Sequence, residues 1–283
     1  MKDGLPIFGI YEKALKPGPF REMFRDAAQA GYQAFELSID ATDERLRRLE
    51  WGKEEIAEVW QAAARSGIRL LTMCLSGHKR FPLGSTDPEI RGTGMKILER
   101  AVELSRRLGI RVIQIPGFDV YDREERTADT RKRYVESLYQ AVRLAERECV
   151  TLAIEPVEGN LLAVRDTMEV VRQIDSLFLQ IYPDVANINS LGIDPIEDLS
   201  YGRGHIAAVH MRDSLPGIYD ATIPFGTGKL DFDGVFRRLR EIGFAGPLIV
   251  EMWNTERPEY REYIVQAREY MEEHIRKAGK EDV

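Results

Sequence analysis

Cysteine is scarce. Cys74 and Cys149 are the two thiols in 283 residues, too few and too isolated for a disulfide framework. Long apolar runs are missing as well. None approaches the roughly 20 residues that a membrane helix needs, and the opening MKDGLPIFGI lacks the apolar core of a secretory signal. The expectation is a cytoplasmic protein with no disulfide and no membrane partner. No block of Lys and Arg accompanies the net charge of −7, so a nucleic-acid partner is not expected, and a phosphorylated substrate would have to meet local positive charge. No Gly-x-Gly-x-x-Gly follows the first strand signal, which counts against a dinucleotide-binding sheet. Repeats, low-complexity segments and linkers are absent too, so residues 1–283 read as one domain whose last residues, 277–283, fray. With 43% hydrophobic and 31% charged residues, the chain has the composition of an ordinary globular enzyme.

What is present is organised around TLAIEPVE, residues 151–158. Leu152, Ala153 and Ile154, led in by Val150, form an apolar run without helical period. Glu155 then arrives directly before Pro156, as in a buried parallel strand that delivers an acid at its carboxyl end. The pattern recurs where Leu248, Ile249 and Val250 lead to Glu251. Between the two, Leu179 to Tyr182 leads to Asp184, and Ile206 to Val209 leads to His210.

Earlier strand signals lie at Leu5 to Ile10, Gln33 to Ile39, Ile68 to Leu75 and Ile110 to Ile115. Helical spacing fills the intervals. Phe20, Met23, Phe24 and Ala27 precede Gly31. Asp40 or Asp43 can cap one amphipathic helix from Leu46 to Ala63, stopped by Gly67. Asp87-Pro88 opens a helix closed by Gly109. Further helices are expected from about Ala128, through Met168 to Ile174, near Ile196, from Phe232 to Ile242 and from Tyr260 to Ile275. Eight strands alternating with about eight helices predict an α/β fold, a (β/α)8 TIM barrel, with an open doubly wound sheet as the alternative that periodicity cannot exclude.

Each candidate has a plain structural reading. A strand-end Glu can simply start a loop, Asp184 after Pro183 can be a turn former, and His210 can be a core histidine. His274 reads as solvated and His205 as a loop residue. Gly226-Thr227-Gly228 resembles a phosphate cradle only as any short glycine pair does. Four metal-ligand types at successive strand ends make a stronger case together, because barrel sites lie at the carboxyl ends of strands. Glu155, Asp184, His210 and Glu251 suit Mn²⁺, Mg²⁺, Co²⁺ or Zn²⁺, ions able to chelate a carbonyl and its neighbouring hydroxyl. Strands five and eight stand about three positions apart around such a barrel. Glu155 and Glu251 can then face each other across a planar enediolate, one removing a proton and the other returning one to the far side.

The strings MCLSGHKRFPLGS, IYEKAL, DERLRRLEW, IDSLFLQIYPDVANINSLG, FGTGKLDF and IVEMW, spread over most of the chain, resemble the L-xylulose-5-phosphate 3-epimerase family of xylose-isomerase-like barrels. The resemblance implies a divalent metal (Mn, Zn or Co) on Glu155, Asp184, His210 and Glu251, with both glutamates also forming the acid/base pair. Four places depart from the family's pattern. Glu155-Pro156-Val157-Glu158 stands for Glu-Ile-Met-Asp, Leu162-Ala163-Val164 for a segment containing Asn-Ser, Ala186 for a Gly, and Arg212 for a Lys. Asn187 and Arg212 are the candidates for the hydroxyl end near C1, and Glu158 keeps a carboxylate beside the substrate.

The loop Ser76, Gly77, His78, Lys79 and Arg80 is the candidate phosphate site, offering backbone N–H groups, an imidazole and two cations. The expected partner is a ketopentose phosphate, L-xylulose 5-phosphate or L-ribulose 5-phosphate, and the expected assembly a homo-oligomer, dimer or tetramer. The rivals are an epimerase of free ketoses, an aldose–ketose isomerase, an apurinic endonuclease and a non-catalytic sugar binder. Four histidines and a charge of −7 count against the endonuclease, and two opposed glutamates would be unexplained in a mere binder.

Overall fold

A computed structural model describes residues 6–157, 161–254 and 256–279. Eight strands, β1 Phe8–Tyr11, β2 Ala34–Ile39, β3 Arg69–Leu75, β4 Val112–Pro116, β5 Thr151–Glu155, β6 Leu179–Ile181, β7 Val209–Met211 and β8 Leu248–Val250, alternate with ten helices among the described residues. All strand pairs are parallel, in the order β6-β5-β4-β3-β2-β1-β8-β7. The two ends meet. Parallel bridges join Ile181 to Ile206 and Asp184 to His210, and the His210 N–H donates to the Pro183 carbonyl at 2.9 Å. The sheet is a barrel, not the open alternative.

Strand periodicity sorts the side chains into two cores. Leu152, Ile154, Val209, Met211, Leu248 and Val250 point outward into the large cluster shared with the helices. Their alternates Ala153, Ala208 and Ile249 point inward with Tyr11, Cys74 and Tyr182. Two residues further along the same inner face stand Glu155, His210 and Glu251. Apolar runs that looked uniform in sequence thus have distinct faces, and the inner face turns polar toward the carboxyl end. Gly9 belongs to this packing, since a Cβ there would lie 2.3 Å from Ile249 Cδ1.

The helices are α1 Phe20–Gln29, α2 Asp43–Leu46, α3 Lys53–Ser66, α4 Pro88–Leu108, α5 Ala128–Arg147, α6 Val164–Ile174, α7 Val185–Ser190, α8 Pro195–Asp198, α9 Phe232–Glu241 and α10 Tyr260–Ala278. α4 has the expected ends: the Asp87 side chain accepts from the Glu89 N–H, Pro88 opens the first turn, and Gly109 closes it with φ +75°. The single helix expected from Leu46 to Ala63 is instead α2, a 3-10 turn and α3, broken at Trp51-Gly52. Its cap is Thr42, while Asp40 accepts from the Thr42 N–H and hydroxyl. Buried Glu12 binds Arg45, Arg48 and the Ser38 N–H, tying α2 and the 3-10 turn to the barrel rim, and α3 starts afresh at Gly52, whose N–H donates to Glu55 at 2.9 Å. α7 was not foreseen, because its six residues are too few to show a period. His274, read as solvated, bonds Asp233 at 2.6 Å and lies against Tyr270. No helix among the described residues is long and apolar enough to cross a membrane.

Candidate active site

One oxygen or nitrogen from each of Glu155, Asp184, His210 and Glu251 lies within 4.8 Å of the others. Each arrives by its own route. Glu155 ends β5 and Glu251 follows β8. Asp184 is the N-cap of α7, its Oδ1 accepting from the Ala186 and Asn187 N–H groups. His210 lies inside β7 rather than beyond its end, because the continuous strand runs Val209–Met211 while Ile206 makes only an isolated bridge to Ile181. His210 Nδ1 sits 3.0 Å from Glu251 Oε2 and 3.4 Å from Glu155 Oε1. A hard, oxygen-rich donor set with one imidazole nitrogen, buried and carrying more acids than bases, fits a divalent cation.

The remaining atoms of these ligands are held as well. Glu155 Oε2 accepts from Gln114 Nε2 at 2.6 Å and its Oε1 from Asn187 Nδ2 at 3.3 Å. Glu251 Oε1 accepts from Trp253 Nε1 at 3.0 Å. Arg212 donates to Asp184 at 2.8 Å and to Asn187. Burial pushes Glu155 up to about 7, with the charges of Glu251 and Asp184 adding to it and His210 opposing it. Glu251 lies below its ordinary value: burial opposes this, but His210, Arg212 and the Trp253 N–H prevail. Two carboxylates whose proton affinities are pushed apart suit one acid and one base. Gln114 and Trp253 escaped the sequence reading. Trp253 stood two residues beyond Glu251, on the same side of an extended chain, and was readable in principle.

A family model described as xylose isomerase-like TIM barrel matches residues 24–274. The chain belongs to that family. L-ribulose-5-phosphate 3-epimerase UlaE of Shigella sonnei is 38% identical over 273 residues, 96% of this chain and 95% of the relative. The protein of the same name from Escherichia coli strain SE11 has the same identity and coverage. Among solved structures, an L-ribulose 3-epimerase superposes with a TM-score of 0.80 at 19% identity, covering 98% of this chain and 97% of its own. The 3-keto-D-glucoside 4-epimerase YcjR of E. coli gives 0.77 at 22%, covering 94% and 100%. At these identities the two structures speak for the fold.

In this xylose isomerase-like barrel the site opens into a pocket of about 560 Å³ whose inner wall includes Glu155, Glu251, Gln114 and Asn187. Asp184, His210 and Arg212 lie behind that wall; Arg212 is buried, with the Tyr219 ring 5.3 Å away. The outer wall includes Lys13, Ser76 and Lys79. Lys13 pairs with Asp40 at 2.8 Å. Lys79 is half-buried over the Tyr121 ring and has no ion pair among the described residues. The rest of the Ser76–Arg80 loop turns elsewhere: Gly77 packs near Leu46, and Arg80 reaches outward to Asp43. Glu158 lies outside the described residues. The Gly226 and Gly228 N–H groups are taken by Asp213 Oδ2, both at 2.9 Å, so that turn is closed by a carboxylate of its own.

His78 is buried away from the pocket, with Nε2 3.2 Å from the Gly94 carbonyl and Nδ1 unpartnered. Burial lowers it to about 4, so near neutral pH it is uncharged. Because the unfolded chain protonates near 6.5 and the folded one near 4, the penalty is absent above about 6.5. It grows as pH falls and is complete below about 4, amounting to roughly 3 kcal/mol. We expect urea unfolding of His78→Gln to lack this part of the wild-type acid lability. Parallel pH profiles in the two proteins would show that His78 does not carry it.

Proposed function

We propose that the protein is a divalent-metal-dependent 3-epimerase that interconverts L-ribulose 5-phosphate and L-xylulose 5-phosphate. The pair Glu155 and Glu251 carries the reading: two carboxylates at the ends of strands three positions apart, each oriented by its own donor and both lining one pocket. Relatives at 38% identity named L-ribulose-5-phosphate 3-epimerase support the substrate. One glutamate takes the C3 proton from one face of the ketose and the other returns a proton to the opposite face. Gln114 and Trp253 keep each carboxylate turned to its task, and Asn187, which lines the pocket, holds the hydroxyl end of the sugar. Arg212, expected beside it, is buried behind the wall and acts by orienting Asn187 and Asp184. A bound Mn²⁺, Co²⁺ or Zn²⁺ supplies Lewis-acid stabilisation of the negative charge that develops on the sugar oxygens.

The phosphate is assigned to the outer wall, where Ser76 stands with Lys79, which has no ion pair among the described residues. The test is side-by-side turnover of L-ribulose 5-phosphate, L-xylulose 5-phosphate and the matching free ketoses. The wild type is expected to prefer the phosphates. Lys79→Ala should raise KM for them by about 10- to 100-fold, the equivalent of one charge-assisted hydrogen bond, while Arg80→Ala changes it less than about twofold. Equal turnover of free ketoses, with KM unmoved by Lys79→Ala, would make this an epimerase of unphosphorylated sugars.

A further inference from the structure

We propose that Glu36 is a positioning residue for the metal centre, holding the His210 ring with Nε2–H turned away from the ligand cluster and Nδ1 turned toward it. The inference rests on the divalent-metal reading and concerns a residue outside the ligand set. Glu36 lies in the middle of β2, fully buried, and does not line the pocket. Its Oε2 is 2.6 Å from His210 Nε2, and its Oε1 accepts the Tyr182 hydroxyl proton at 2.7 Å.

A carboxylate is an acceptor, so the short contact at Oε2 requires the proton to be on Nε2. Nδ1 faces the ligand carboxylates, 3.0 Å from Glu251 and 3.4 Å from Glu155. By the same rule it carries a proton while those acids are its partners, and a cation taken up among them would displace that proton and use the freed lone pair. The imidazole therefore stands between Glu36 and the ligands, and Glu36 cannot itself reach the cation. Tyr182 acts on both partners, because its hydroxyl holds Glu36 while its ring lies 4.6 Å from the His210 ring. A buried acid in a strand that otherwise faces Phe35, Leu37 and Ile39 into the core is costly unless both its oxygens are engaged. Here they are engaged, by the one imidazole of the site and the tyrosine packed against it.

Two measurements test this. Protein labelled with ¹⁵N-histidine and loaded with ¹¹³Cd²⁺ should show one histidine whose Nδ1 couples to cadmium and whose Nε2 carries a proton. Coupling through Nε2 overturns the proposal and leaves the metal reading standing; no coupling at any histidine overturns both. Glu36→Gln keeps the size of the side chain and an acceptor oxygen, and should weaken Zn²⁺ binding, measured by chelator competition, by about 10- to 100-fold. A residue with only a packing role would instead lower the unfolding temperature of the chelated protein and leave the affinity of the folded site unchanged, which is the overturning result. Should Glu36→Gln not fold, Tyr182→Phe takes its place: a several-fold weaker affinity supports the proposal and an unchanged one overturns it.

Discussion

Replacing Glu155 or Glu251 by Gln is expected to stop net epimerisation, with a loss of about 10²- to 10⁴-fold in kcat, the range for removing one acid or base. Each substitution keeps the shape of the side chain and the hydrogen bond from Gln114 or Trp253 that orients it, but takes away one of the two proton carriers. The partial reaction should survive selectively. Each variant should still exchange the C3 proton of one epimer with solvent deuterium through the remaining glutamate, and the two variants should differ in which epimer they label. Because both residues also belong to the ligand set, metal content has to be measured in the same samples, since an amide oxygen is a weaker ligand than a carboxylate. A metal-loaded Gln variant that epimerises at nearly the wild-type rate would remove that glutamate from the mechanism.

Chelation should reduce turnover to background, and Mn²⁺, Co²⁺ or Zn²⁺ should restore it. The reason is electrostatic. Glu36, Glu155, Asp184 and Glu251 converge with one imidazole and one guanidinium on a buried site, where charge is poorly screened. Without a cation the acids have nothing with which to hold the carbonyl and hydroxyl of the sugar, and the developing oxyanion meets carboxylates. The fold itself does not depend on that site: the barrel is closed by backbone hydrogen bonds and a large apolar cluster shared with the helices. The stripped protein is therefore expected to keep its circular dichroism spectrum while losing activity. Unfolding on chelation would point to a structural ion, and full activity in verified metal-free protein would be incompatible with the proposed chemistry.

Which residues were legible followed from how far their contacts reach along the chain. α4 was readable from end to end, because an Asp cap, a Pro in the first turn and a left-handed Gly are local signals. Glu251 after three apolar residues and Glu155 after Ile154 were readable for the same reason: strand and exit sit within a few residues of each other. Glu36 was not, although β2 carried a trace of it, since Glu36 and Ser38 alternate with Phe35, Leu37 and Ile39 and mark a polar inner face. Its partner His210 lies 174 residues away. Of the two lysines and one arginine near the outer wall, the sequence could not say that Arg80 turns out to Asp43 while Lys13 and Lys79 line the pocket.

Taken alone, the sequence determined eight strands, the helices long enough to show a period, and four acid or imidazole side chains at the carboxyl ends of strands five to eight. Those features are set by spacing of two and 3.6 residues, by caps and by breakers, all of which act within a few turns of chain. The tertiary structure decided the closure of β6 against β7, the anchoring of α2 on buried Glu12, the meeting of Glu36 with His210, and the choice of Gln114 and Trp253 as partners for the two glutamates. Periodicity tells a side chain which face of its own strand it occupies. Which residues it meets across the barrel depends on the stagger and tilt of all eight strands together, and no local stretch encodes that.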